Sequence, residues 1–380
     1  MKPDAKRPTS SIIKDAGECE DPFDRRARTS WRSSLLVLLV LIPPSILIQQ
    51  LQAEQTNRGG MAEKAFNMYL DGTIGTLFSA RLLPAETVGL VQKVSGGRVS
   101  SHGANAFVQI VALCAGLFAT HRFALLFLAN AWALSATLLT ACLLPWGFLD
   151  LGYASSWPYD FPALFFSAAG MILVLRQRAF LFGAVLILGT LNKETMVWLI
   201  PAWFFHAQRG WRPDARAVAQ TLLFAVLFYA TYQTVRFAHA DLYTPLSVTV
   251  SAYEVPADGS HPRTPRAAQN LKELVFEGRG RALQNVYLGL AVHLVAIVFL
   301  FKLPRSIRRL YWATPFFFLP LFFFGNICEL RLYNELLPLG TVSVAFLLQQ
   351  EWASSTISAA GARAAKTQIA NSRTDSGSTR

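Results

Sequence analysis

Four consecutive residues have the types and the setting to do chemistry: Asn192, Lys193, Glu194 and Thr195, an amide, a cation, a carboxylate and a hydroxyl. They separate two apolar runs, residues 179–190 (AFLFGAVLILGT) and 196–205 (MVWLIPAWFF), each too short to cross a bilayer comfortably. A charge near mid-membrane costs roughly 3 kcal/mol, so an intramembrane charge usually serves a function. Either one long helix carries a buried Lys/Glu pair, or two short helices meet at a polar turn. Non-helical backbone at membrane depth persists only where it lines a cavity or is buried in protein, which makes such a turn a candidate site.

Two further short segments have the same character. In Asn326–Glu335 (NICELRLYNE), a helix beginning near Glu329 puts Arg331, Asn334 and Glu335 on one face at i, i+3 and i+4, a cation, an amide and a carboxylate turned to one cavity. The simpler alternative is an intrahelical Arg331/Glu335 pair worth a few tenths of a kcal/mol. In Trp157–Pro162 (WPYDFP), Asp160 stands at a helix start as a candidate N-cap with Pro162 in the first turn. Trp157 and Tyr159 suit an interface belt equally well as a sugar-binding platform, where a ring packs on the apolar face of the sugar and a carboxylate takes its hydroxyls.

The elements that must position these residues follow from composition. With 53% hydrophobic residues among 380, and with apolar runs recurring near spanning length, the pattern predicts an all-α, polytopic transmembrane bundle of about ten spans. The spans fall at 34–50, 104–120, 122–145, 161–175, 179–190, 196–206, 217–237, 285–303, 310–325 and 332–349. Pro43 and Pro44 are expected to kink the first. Polar, charge-mixed residues 1–33 and the Ser-, Ala-, Thr- and Arg-rich residues 351–380 read as disordered cytoplasmic tails flanking a membrane domain at 34–350. Cys19, Cys114, Cys142 and Cys328 have no paired spacing, which argues against a disulfide framework or a metal site.

The net charge of +12 does not indicate nucleic acid, because Lys and Arg gather in short segments between apolar runs. If 179–206 forms two short helices and the N-terminus is cytoplasmic, one side receives Arg122, Arg176, Arg178, Arg209, Arg212, Arg216, Lys302, Arg305, Arg308 and Arg309. The opposite short loop, 146–160, holds Asp150 and Asp160 and no base. A single span over 179–206 would reverse every later loop and break the bias, so the two-helix reading is preferred. All the unusual polar clusters then share the extracytoplasmic face: loop 51–103 with Asp71 and Arg81, loop 146–160, the Asn192–Thr195 turn, loop 238–284 and Asn326–Glu335.

On these residues the chain resembles the GT-C superfamily of integral-membrane glycosyltransferases, over about residues 34–349. The resemblance is carried by the topology, by the long first outer loop with Asp71 and the run Phe78–Pro84, by Trp157–Pro162 and by the Asn192–Thr195 turn. It implies transfer of a sugar from a polyprenyl-phosphate donor to a glycan, lipid or protein acceptor, with an acid of the first outer loop as catalytic base. Asp71 fits that place, with Glu63 and Glu54 as rivals in the same loop and Asp160 and Glu194 as alternatives outside it. Lys193 and Arg331 would face the departing phosphate, and Arg81, Trp157, Tyr159, Asn192, Asn334 and Glu335 would complete the substrate site. No cofactor is expected, since the paired acids that hold a divalent cation in many members are missing from this loop.

The resemblance further implies a multi-pass protein of the bacterial cytoplasmic membrane, in contact with the lipid bilayer and with both termini cytoplasmic. Two other classes compete. A transporter or flippase for a lipid-linked or small anionic substrate also builds its site from broken helices with charges at depth, although no internal repeat is visible here. A non-catalytic assembly protein would use the same polar turns to hold another membrane subunit.

Overall fold

The computed structural model describes residues 31–58, 81–145, 159–208, 214–238, 267–271 (less one residue), 280–324 and 330–375. All regular structure among them is helical. In chain order the helices are α1 (Trp31–Arg58), α2 (Leu82–Val94), α3 (Ser101–Ala124), α4 (Asn130–Leu143), α5 (Asp160–Leu175) and α6 (Ala179–Asn192). They continue as α7 (Leu199–Ala207), α8 (Ala215–Ala238), α9 (Gly280–Val298), α10 (Arg305–Ala313), α11 (Pro315–Phe324) and α12 (Leu337–Asp375). Two 3-10 segments, Glu194–Trp198 and Leu330–Glu335, interrupt the apolar stretches where the polar clusters sit.

Three of these helices are long and apolar enough to cross a membrane: Ser33–Leu51 within α1, Ser101–Ala124 and Ala215–Val235 within α8. α4, α5 and α6 are apolar but shorter, so the ten full spans expected from the sequence reduce to three helices of spanning length among the described residues. The stretch expected as a single span over 310–325 is two helices broken at Thr314, with Pro315 opening the second. Arg305–Arg309, expected as loop, begins α10, where Ile307, Leu310 and Tyr311 turn inward at i, i+3 and i+4. Residues 351–375, expected as a disordered tail, continue α12; their many alanines and lack of proline favour helix.

The helices approach closely where a small residue permits it, as helices in lipid do. A methyl on Gly116 of α3 would stand 3.1 Å from Leu164 of α5, which is why the two helices lie together along their length. Buried hydroxyls bond the carbonyl four residues back, as Thr120 does to Gly116, Thr137 to Ala133, Thr190 to Leu186 and Ser343 to Leu339. These side chains thus satisfy themselves within their own helix. Thr140 and Thr341 also meet each other at 2.7 Å, tying α4 to α12.

α6 and α7 form a hairpin. Phe182, near the start of α6, has its ring 4.9 Å from that of Trp203, near the end of α7, and both pack on Phe224 of α8. In one continuous helix these two residues would be about 30 Å apart at 1.5 Å per residue. At the tip, a Cβ on Gly189 would stand 2.9 Å from Met196 Cγ, so the absence of a side chain lets the returning strand of the hairpin close over α6. Of the two sequence readings of residues 179–206, the broken one is therefore the structure.

Candidate functional site

The hairpin tip carries Lys193 in extended backbone, φ −162° and ψ 130°, between the end of α6 and the 3-10 segment. Its ammonium is enclosed by protein, 2.7 Å from Glu335 Oε1 and 3.3 Å from Asp160 Oδ1, and the three side chains are at most 2% exposed. Glu335 comes from the 3-10 segment ahead of α12 and Asp160 from the first turn of α5, where a helix start favours a carboxylate. Glu335 is held further by Thr195, whose hydroxyl lies 2.8 and 2.7 Å from its two oxygens, and by Ser167, whose hydroxyl donates to the Glu335 carbonyl at 2.6 Å. Losing the cation here would strand two buried carboxylates, a loss of about 3–5 kcal/mol.

A second ion pair sits at the edge of the first. Arg81, immediately before α2, grips Glu194 with both arms of its guanidinium, Nε to Oε2 at 3.2 Å and Nη2 to Oε1 at 2.7 Å. The same guanidinium lies over the Tyr159 ring, 3.9 Å from its centre, a cation–π contact. Lys193 Nζ stands 5.6 Å from that ring centre, so one tyrosine is shared by both layers. Asn192 completes the frame by donating to the Tyr159 carbonyl at 3.0 Å. Glu194 has 37% of its side chain exposed, against 11% for Arg81. The Arg81/Glu194 pair is thus the accessible layer, and Lys193 with Asp160 and Glu335 the sealed one.

Seven residues expected from the sequence are brought together here: Arg81, Tyr159, Asp160, Asn192, Lys193, Glu194 and Glu335. Two cations against three carboxylates leave one negative charge in excess when all are ionised. Asn334 is buried nearby in sequence to Glu335, and its Nδ2, like Asn192 Oδ1, has no hydrogen-bond partner among the described residues. Asp71 and Trp157 lie outside the described residues, as does the side chain of Arg331. No group of three or more His, Cys, Asp or Glu that could hold a metal ion occurs among the described residues.

Two expectations need correction. Asp160 is not the N-cap of α5: Tyr159 occupies that position, no side-chain cap is made, and the Asp160 carboxylate turns to Lys193. The Lys193/Glu194 pair of the single-helix alternative does not form, because the extended residue sends the two side chains into different layers. Arg331, Asn334 and Glu335 do not share one α-helical face, since Leu330–Glu335 is 3-10. Glu335 turns to Lys193.

Thr195 belongs to the polar turn singled out in the sequence without a role of its own, and Ser167 is the member of the network that the sequence did not suggest. Ser167 stands two helical turns after Asp160, on the same face of α5, and that spacing was the available signal. The basic residues lie at the other end of the bundle. α5 runs from Asp160 to Leu175, about 22 Å at 1.5 Å per residue, and Arg176 follows it. There Arg122 is within electrostatic reach of Arg176, and Arg309 of α10 donates to the carbonyl of His206 at the end of α7. No family model matches this chain, and no curated protein or solved structure matches it either.

Proposed function

We propose that this chain is a multi-pass glycosyltransferase of the bacterial cytoplasmic membrane, moving a sugar from a polyprenyl-phosphate donor to an acceptor on the extracytoplasmic face. The observation that carries the reading is the accessible Arg81/Glu194 pair at the rim of a sealed charge network. Such a transfer needs a carboxylate to take the acceptor's proton and a cation to meet the departing phosphate. Glu194 is the carboxylate with solvent access, and Arg81 has the planar fork that suits phosphate. Tyr159, 1% exposed, backs the Arg81 guanidinium from inside the protein. Asp71 remains a rival for the base. Orientation follows from the basic end of the bundle, which the positive-inside rule assigns to the cytoplasm together with both termini.

In this proposal Lys193 is a positioning residue. Its charge is already met by Asp160 and Glu335, so it fixes the hairpin tip and with it Glu194. The test is transfer from a radiolabelled polyprenyl-phosphate sugar by the full chain in nanodiscs, comparing wild type with Glu194→Gln and Arg81→Lys. A loss of at least about a hundredfold in both, with folding intact, is expected for groups acting in the transition state. Wild-type turnover in both variants would remove the pair from the mechanism.

A transporter is the second reading, and one observation favours it. A buried lysine bridging two carboxylates at a broken helix, with one negative charge in excess, has the make-up of a carrier site for a cation or proton. Counter-flow of a labelled substrate across sealed vesicles without covalent change would select it.

A further inference from the structure

The two faces of α10 differ in kind. Ile307, Leu310 and Tyr311 are buried, while Arg305, Arg308, Arg309 and Trp312 recur at i, i+3, i+4 and i+7 and so lie along one outer stripe. Arg305 and Trp312 are exposed, and Arg308 and Arg309 are half-buried. Among the described residues neither Arg305 nor Arg308 makes an ion pair, and Arg308 Nε has no hydrogen-bond partner. Arg309 gives an N–H to the His206 carbonyl and feels the charge of Arg305 beside it. Glu351, the acid that Lys302 reaches from the neighbouring corner, is taken by that lysine.

Apolar surface is uncovered on both flanks of this stripe. Before it, Val298 at the end of α9 and Phe301 in the following corner are 72% and 87% exposed. After it, Phe205 of α7 lies between Trp312 and Phe316 of α11, and those two rings are each about half exposed. From Arg305 onward the chain presents arginines, then a tryptophan, then the phenylalanines of α11. That is the order of layers met on entering a bilayer from water: charged headgroups, the interface that favours tryptophan, then hydrocarbon. An acidic peptide would answer the arginines and leave the flanking apolar surface bare, whereas a phospholipid answers both.

We infer that α10 is an interfacial helix that gathers anionic phospholipids in the leaflet at the basic end of the bundle. Arg305 and Arg308 meet the headgroup phosphate, for which the guanidinium fork is suited, and Trp312 anchors the helix at the interface. The inference rests on the membrane reading of the chain and is independent of any transfer reaction at the Lys193 network.

The test uses the full chain in detergent, titrated with phosphatidylglycerol or with phosphatidylcholine and followed by native mass spectrometry. The two lipids share the phosphate and differ in net charge, and wild type should retain phosphatidylglycerol in preference. Arg305→Gln and Arg308→Gln should each weaken that retention about fivefold, the loss expected for one basic residue at an anionic surface, and leave phosphatidylcholine unchanged. Helix content should not move, since neither side chain holds an ion pair. Arg216→Gln, which removes an exposed charge at the start of α8, is the control and should keep wild-type retention. Equal retention of the two lipids by wild type, or losses as large in Arg216→Gln as in Arg305→Gln, would overturn the assignment to α10.

Discussion

Thr195 Oγ1 lies within 2.8 Å of both carboxylate oxygens of Glu335, although 140 residues separate the two in sequence. A hydroxyl has a single proton to donate, so it cannot satisfy both oxygens alone. The second is held by Lys193 at 2.7 Å from Oε1. The hairpin tip therefore addresses Glu335 with two adjacent groups, one neutral and one charged, and the carboxylate is clamped rather than merely neutralised.

Removing the ammonium should be more damaging than removing the whole charge set. Lys193→Met leaves Asp160 and Glu335 buried and facing each other, and unfolding in detergent should show a loss of about 3–5 kcal/mol. Combining it with Asp160→Asn and Glu335→Gln should recover most of that loss, because no unpaired charge remains. A triple variant no more stable than Lys193→Met would refute the buried-pair account.

The Arg81/Glu194 pair should tolerate reversal better than truncation. Arg81→Glu places two carboxylates together and should lower the yield of monodisperse protein, while Arg81→Glu with Glu194→Arg should restore part of it. Arg81→Lys should behave as a loss, since an ammonium cannot make the two parallel bonds to Glu194 while it covers Tyr159. Size-exclusion profiles of the four proteins would decide.

The hairpin depends on one missing side chain. Gly189→Val puts new carbon atoms against Met196, whose Cγ is already 2.9 Å from the ideal Cβ position, and overpacking of this kind costs about 1–3 kcal/mol. Met196→Ala in the same chain should return some of that stability by opening the space. Thermal unfolding of the single and double variants measures the coupling.

Orientation can be read chemically. In a background with all four cysteines replaced, Glu194→Cys should react with an impermeant thiol reagent applied to intact cells, and Lys302→Cys only after permeabilisation. Both positions have accessible side chains, 37% and 54% exposed. The reverse pattern would invert the assignment of faces.

Residue type and spacing made the polar cluster more legible than the lengths of the helices. A lysine and a glutamate between apolar runs are costly enough to announce themselves, and the structure gathers Arg81, Tyr159, Asp160 and Glu335 around them. Their pairing could not be read, because partners such as Lys193 and Glu335 are joined only by the packing of α5 against the hairpin and the segment ahead of α12. Helix lengths were misjudged for a related reason. Hydropathy registers how apolar a run is, and 310–325 is apolar throughout, but the break at Thr314 and Pro315 depends on backbone conformation. Residues 351–375 show the opposite case: they lack an apolar face to advertise a helix, and local propensity sustains one.

Because Glu335 lies near the end of the chain, the ribosome releases it long after the hairpin that needs it. α6 and α7 are individually too short to be handed to the bilayer as ordinary spans, so they must wait, with Lys193 answered by Asp160 alone, until Glu335 emerges. A chain that ends before residue 330 holds Lys193 and Asp160 as a lone buried pair, without the second carboxylate, the Thr195 contact and the Ser167 tie that Glu335 brings.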